Sequence, residues 1–286
     1  MIAAQFDYVR ANTLDEALTL LAQNEEAKIL AGGHSLIPAM KLRLAQPPLL
    51  VDIGRIKDLS YISQDNGQVR IGAMTTHYQI ESSDLLKQIC PLLPECASHI
   101  GDPQVRNKGT IGGSVAHSDP AGDWPAAVIA LNAELIAASQ NGDRTIKADD
   151  FFVDLMTTAL EPGEILREIR INIAPARTGT AYVKMHHPAS GFAVVGVAAS
   201  LTLGDNGCEQ ASIGITGVSS KAYRATGVEG GLRGAHLDDQ TIADAASHAS
   251  DGVDLNGDVF ASDDYRRHLA QVYTRRAVVM AAERAR

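Results

Sequence analysis

Apolar positions along the chain first recur at helical spacing. Leu14, Ala17, Leu18 and Leu21 fall on one helix face, and Thr13-Leu14-Asp15-Glu16 reads as a capping box in which hydroxyl and carboxylate satisfy orphan amides. The next apolar runs are short and strand-like, at 28–30 and 49–52, with a helical piece from Pro38 between them, so the chain opens as a β-α-β unit. From 56 to 100 short strands (61–63 and 69–72) alternate with helices near 76–82 and 92–99. Residues 124–131 read as helix, and 134–139 with 144–147 around Asn141-Gly142 as a hairpin with a tight turn. Beyond a turn-rich stretch, 174–179, three strands are expected at 180–185, 193–203 and 208–215, the last two joined by Asp205-Asn206-Gly207. Two helices close the chain, one from near Asp238 and one from near Ser262 or Asp263 that turns Leu269, Val272, Tyr273 and Val279 inward.

This order predicts an α+β fold with a domain boundary in the turn-rich stretch. The first domain spans 1–176, with subdomains at about 1–55 and 56–176; the second spans 177–286 and carries a three-stranded antiparallel sheet with helices. Of the 286 residues 45% are hydrophobic, which excludes disorder, collagen and coiled coil. Charge excludes more: 25 Lys+Arg against 34 Asp+Glu gives −9, and no cluster of cations is present to displace counterions from a nucleic-acid backbone. The N-terminus shows no secretory signal and no apolar run is long enough to span a membrane, so no transmembrane segment is expected. Cys90, Cys96 and Cys208 form neither an even framework nor a Cys-x-x-Cys pair and read as buried free thiols.

Two segments carry candidate chemistry, 31–36 (Ala31-Gly32-Gly33-His34-Ser35-Leu36) and 110–114 (Thr110-Ile111-Gly112-Gly113-Ser114). Each pairs Gly-Gly with a hydroxyl residue. One reading makes each a tight turn beside a strand. The other makes the two a diphosphate cradle, since glycine lets backbone approach a ligand, adopts positive φ and can aim successive amides at an anion without Lys or Arg. No Gly-x-Gly-x-x-Gly or P-loop pattern is present. Residues 117–123 contain ligand-type side chains, but Pro120 and Gly122 make a loop without a second His at chelating spacing, so no metal site is expected. Asp123, before Trp124-Pro125, reads as a helix N-cap, and His186 and His187 face opposite sides of a strand. No nucleophile elbow and no Cys/His pair is visible, so no catalytic residue is assigned.

At these same residues the sequence resembles the FAD-binding medium subunits of the molybdenum hydroxylases (the xanthine dehydrogenase family), and most closely the carbon monoxide dehydrogenase medium-subunit type. The matching stretches are 31–38 with Met40-Lys41-Leu42-Arg43-Leu44, Ile71-Gly72-Ala73-Met74-Thr75-Thr76, Asp102-Pro103-Gln104-Val105-Arg106 leading to 110–114, residues 161–166, Tyr182-Val183-Lys184 and Ser212-Ile213-Gly214-Ile215. The resemblance implies a vanillyl-alcohol-oxidase type fold, in which two α+β subdomains clasp FAD and a C-terminal α+β domain follows. It places the backbone of Ile29, Leu30, Ala31, Gly32, Gly33, His34, Ser35 and Leu36, and of Thr110, Ile111, Gly112, Gly113 and Ser114, around the FAD diphosphate and ribityl chain. Ile100 would flank the adenine end, Asp123 accept from FAD hydroxyls, Leu166 pack on the cofactor and Lys184 contact the flavin side.

The implied partners are a large molybdenum-cofactor subunit and a small subunit with two 2Fe–2S clusters, together a dimer of heterotrimers; the expected compartment is the cytoplasm, either free or at the inner face of the membrane. Electrons would pass from the clusters to FAD and on to a quinone, dioxygen or NAD. The alternative is a stand-alone flavin oxidase or dehydrogenase of the same fold. On the cradle reading, Gly113→Val should abolish FAD binding, because a β-branched side chain fills the diphosphate's space and resists positive φ.

Overall fold

The computed structural model describes residues 1–286. Its first unit is a three-stranded sheet in the spatial order Asp7–Arg10, Leu49–Asp52, Lys28–Leu30, all parallel, with Ile29 and Val9 both beside Val51. The helix Leu14–Gln23 begins as predicted, with Thr13 Oγ1 accepting from the Glu16 amide; the Glu16 carboxylate reaches back one residue further than a capping box, to the Asn12 amide at 2.8 Å. The edge strand Asp7–Arg10 is exposed throughout, so it carried no apolar alternation to read.

The second unit is a five-stranded antiparallel sheet in the order Ile62–Asp65, Gln68–Gly72, Ile165–Asn172, Glu134–Ser139, Gly142–Lys147. The hairpin turn is two residues long, Gln140-Asn141, one position earlier than expected; Gly142 pairs with Ser139 and opens the returning strand with φ at +110°, a conformation glycine adopts without a steric penalty. A core of 31 buried residues lies on this sheet and includes Trp124, Leu135, Leu166 and Ile169. The helix Asp123–Ala130 is buried at every position.

The third unit holds the strands Thr178–His186, Ala193–Gly204 and Gly207–Thr216 in antiparallel order, to which a fourth, two-residue strand, Tyr223–Arg224, is added. The helices Asp239–Ala246 and Asp263–Ala285 start where expected, and Asp238 and Ser262 turn out to be their N-caps. An unforeseen helix, Thr226–Leu232, contains Gly227, Gly230 and Gly231. It forms despite them because Val228 and Leu232 bury on one face, and Gly231 lets it close on the neighbouring helix, where an added Cβ would stand 3.0 Å from Ala245 Cβ. All three cysteines are free and buried.

Candidate functional site

The two glycine segments lie against each other. The first runs from the strand Lys28–Leu30 into the helix Leu36–Lys41, with Gly33 at φ +75°. A Cβ on Gly32 would stand 2.8 Å from Gly109 Cα and closer still to the carbonyl oxygen of Lys108, so only glycine allows the approach. Gly113 faces the first segment too, its Cβ position lying 3.4 Å from Ala31 Cβ. No protein acceptor pairs with the backbone N–H groups of Gly32, Gly33, His34, Ser35 and Leu36, and these residues are half-buried or exposed. A row of free amides opening a helix is the arrangement that holds an anion by oriented dipoles.

The second segment is neither a tight turn beside a strand nor a row of free amides. Residues 111–114 form the first turn of the helix Ile111–His117, and Thr110 is its N-cap. Their amides are already paired: Ile111 donates to Thr75 O at 3.0 Å, Gly112 to Ala73 O at 2.9 Å, Gly113 to Thr110 Oγ1 at 3.1 Å and Ser114 to Thr110 O at 3.0 Å. This segment therefore offers no free donor, and its glycines serve close packing: an added Cβ on Gly112 would stand 2.7 Å from Ala73 Cα. Gly113 is helical and not at positive φ, so the strain foreseen for a valine there does not arise; the obstacle is Thr110 Oγ1, 2.7 Å from the Cβ position.

Asp123 is not the N-cap of its helix. Gly122 takes that place, and the Asp123 carboxylate turns to the third unit, where Tyr182 Oη donates to Oδ1 and Lys184 Nζ lies 2.8 Å away. The Lys184 side chain is fully enclosed and also donates to the His99 carbonyl at 3.0 Å. Burial pushes the Asp123 carboxyl up, against the opposing pull of Lys184 and Tyr182, and holds the Tyr182 hydroxyl well above its ordinary value. Two of the carboxylate's acceptor positions are used, which leaves capacity for a ligand hydroxyl. Ile100 is half-buried beside this cluster, and Leu166 is buried on the central strand at a bulge opposite Ala137. His99 Nδ1 and His186 Nε2 are 3.2 Å apart, while His187 packs its ring on Phe260, so the two consecutive histidines do separate.

His77 went unremarked in the sequence. It is buried, and desolvation first, then the charges of His34 and Arg106, lower it from 6.5 to about 4. A pKa depressed by folding contributes stability that is present above the unfolded value and lost as pH falls through the folded one. The difference of 6.5 and about 4 corresponds to about 3 kcal/mol. Urea unfolding should show stability falling between pH 6.5 and 4, with His99 and His186 acting in the same direction, and the fall should be smaller in His77→Gln.

Residues 4–172 match the family described as FAD binding domain in molybdopterin dehydrogenase, and residues 180–281 match the CO dehydrogenase flavoprotein C-terminal domain. The chain belongs to the FAD-binding medium subunits of the molybdenum hydroxylases. Among these medium subunits it is similar to the glyceraldehyde dehydrogenase medium chain of Sulfolobus acidocaldarius, 39% identical over 277 residues, covering 97% of this chain and 98% of that one. It is equally similar to the carbon monoxide dehydrogenase medium chain of Afipia carboxidovorans, 39% identical over 287 residues and the whole of both chains. Its fold superimposes on that of a chain in carbon monoxide dehydrogenase from Hydrogenophaga pseudoflava with a TM-score of 0.97, 39% identity and 99% coverage of each. The medium subunit is thus part of molybdenum-containing oxidoreductase complexes, with an α+β FAD-binding domain followed by the flavoprotein C-terminal domain. None of its helices is long and apolar enough to cross a membrane.

Proposed function

We propose that this medium subunit takes electrons at FAD from the 2Fe–2S clusters of a small subunit and passes them to an external acceptor, a quinone, dioxygen or NAD. A large molybdenum-cofactor subunit would oxidise the substrate, and the whole would be a cytoplasmic dimer of heterotrimers. The observation that carries the reading is the row of five unpaired amides at 32–36, in a segment that only glycine at 32 lets pack against the Lys108–Gly109 backbone. The residues fit FAD on that ground. When bound, the flavin supplies chemistry no side chain here can, joining one-electron clusters to a one- or two-electron acceptor.

The chain's own residues bind and orient. The amides of 32–36 hold the diphosphate, the backbone of Ile29, Leu30 and Ala31 and the turn Thr110 to Ser114 shape the walls, and the helix dipole adds to the attraction. Ile100 and Leu166 offer aliphatic contact in a chain with only 5% aromatic residues. Asp123 accepts a cofactor hydroxyl, with Lys184 behind it keeping the carboxylate ionised and in place. The domain division at 176/177 follows the same reading, with the cofactor held by the first domain and the second bracing it.

Purification of the complex tests this. The chain should carry flavin absorbance and co-purify with a molybdenum subunit and a cysteine-rich subunit, and substrate added without acceptor should bleach the flavin. A folded chain that neither carries nor takes up FAD would refute it.

A further inference from the structure

Asp123 stands on the helix Asp123–Ala130 of the second unit, while its partners Tyr182 and Lys184 come from the strand Thr178–His186 of the third. That strand is an edge of its sheet: Ala193–Gly204 pairs with one side of it, and the other is placed by what packs there. The helix Leu92–Ser98 takes that place, with Leu92, Leu93, Cys96 and Ala97 in the same core as Trp124. Glu95 Oε2 accepts the Tyr182 backbone N–H at 3.1 Å. The carbonyl of His99, the C-cap of the helix, accepts Lys184 Nζ at 3.0 Å, and His99 Nδ1 lies 3.2 Å from His186 Nε2. Alternate residues of the strand are thus fastened to one short stretch of chain. Glu95 is held in turn. Arg284, in the last turn of the helix Asp263–Ala285, donates to its two oxygens at 2.8 and 2.9 Å and to the Thr180 carbonyl at 2.6 Å. Gly179 lets that turn come down on the strand, since an added Cβ there would stand 2.9 Å from the Arg284 carbonyl carbon. With Arg284 paired to Glu95, Lys184 has Asp123 as its one carboxylate partner.

We propose that Glu95, braced by Arg284, is a positioning residue of the cofactor site: it sets the register of the edge strand against the helix Leu92–Ser98, so that Tyr182 and Lys184 meet and fix the Asp123 carboxylate. This rests on reading Asp123 as a cofactor contact. The carboxylate has no protein partner besides these two side chains, so its placement depends on the strand that carries them. A slip of one residue would turn both side chains to the other face of the sheet, and a shift of about 1 Å is enough to take a hydrogen bond of 2.9 or 3.0 Å out of range. Tyr182 is buried, and its outward N–H would be an orphan donor without Glu95, so one side chain both satisfies the edge and marks the position at which the strand stops.

The test measures FAD affinity of the full chain, freed of cofactor, by quenching of flavin fluorescence, with urea unfolding alongside. Glu95→Leu should weaken FAD binding about tenfold to a hundredfold, the worth of a hydrogen bond to a charged group, and Glu95→Gln, which keeps an oxygen for the Tyr182 amide, should recover most of that affinity. Arg284→Ala removes only the brace from a partly exposed position, so it folds even where Glu95→Leu does not; it should weaken FAD binding in the same direction, and Arg284→Lys should recover part of the loss. Val228→Ala, in the core on the helix Thr226–Leu232, is the control: it should lower the urea midpoint and leave FAD affinity within about twofold. Wild-type affinity in Arg284→Ala and in every Glu95 variant that folds overturns the proposal. So does a Val228→Ala chain that loses FAD in step with its stability, because the effect of Glu95 would then be stability alone. The pair-free variant, Asp123→Leu with Lys184→Met, tells the two failures apart: weakened FAD binding there leaves the cofactor reading of Asp123 standing, and wild-type affinity there overturns that reading as well.

Discussion

Gly32→Val is expected to yield a chain that retains no flavin. Its Cβ would meet backbone, the Lys108 carbonyl and Gly109 Cα at 2.8 Å, and backbone cannot swing aside as a side-chain tip can. Separating the two segments costs about 1–3 kcal/mol of overpacking and removes the shape on which the row of amides depends. Flavin-to-protein ratio by absorbance should fall to background, and FAD affinity by more than about tenfold. Gly113→Ala is the milder comparison, because its obstacle is the Thr110 hydroxyl at 2.7 Å, a rotatable group. Equal flavin content in Gly32→Val and wild type would contradict the close packing of the segments as the basis of binding.

Lys184→Met should be the most destabilising single change outside the glycines. It leaves the Asp123 carboxylate buried with Tyr182 as its one remaining protein partner, and removing one member of a buried ion pair typically costs about 3–5 kcal/mol. Urea denaturation should show a lower midpoint, and adding Asp123→Leu should restore much of the loss, since the uncompensated charge goes with it. If the single and double variants unfold at the same urea concentration, the pair does not carry the stability assigned to it.

How far these features were legible follows from how local their causes are. The helix Leu14–Gln23, the hairpin next to Asn141-Gly142 and the helix starts near Asp238 and Ser262 rest on neighbours within a few positions, and the sequence pattern displays them. The segment 110–114 reads as a tight turn or an anion cradle from its Gly-Gly pair alone, yet it is a helical turn anchored by the Ala73 and Thr75 carbonyls, supplied by a distant stretch of chain. Asp123 read as a cap from its place before Trp124-Pro125, while its partners stand 59 and 61 residues away. The family resemblance did pick out Asp123 and Lys184, though as separate cofactor contacts and not as a pair. His77 follows a capping threonine in the matching stretch, and that was its only local signal; the tryptophan that donates to it lies 47 residues on.

The helix Asp123–Ala130 has a consequence for how such subunits are inherited. Its solvent-free surface is shared: the second unit packs on one side, and on the other an added Cβ on Gly214 of the third unit would sit 2.9 Å from the Ala126 carbonyl carbon. Thr216 Oγ1 donates to the carbonyls of Pro120 and Gly122, and Gly217 N to Pro120, stitching the same loop to the same sheet. The two segments can be recognised separately in the sequence, yet neither is a free-standing module. A chimera joining the first half of one relative to the second half of another would have to match at this helix before it could match at the cofactor.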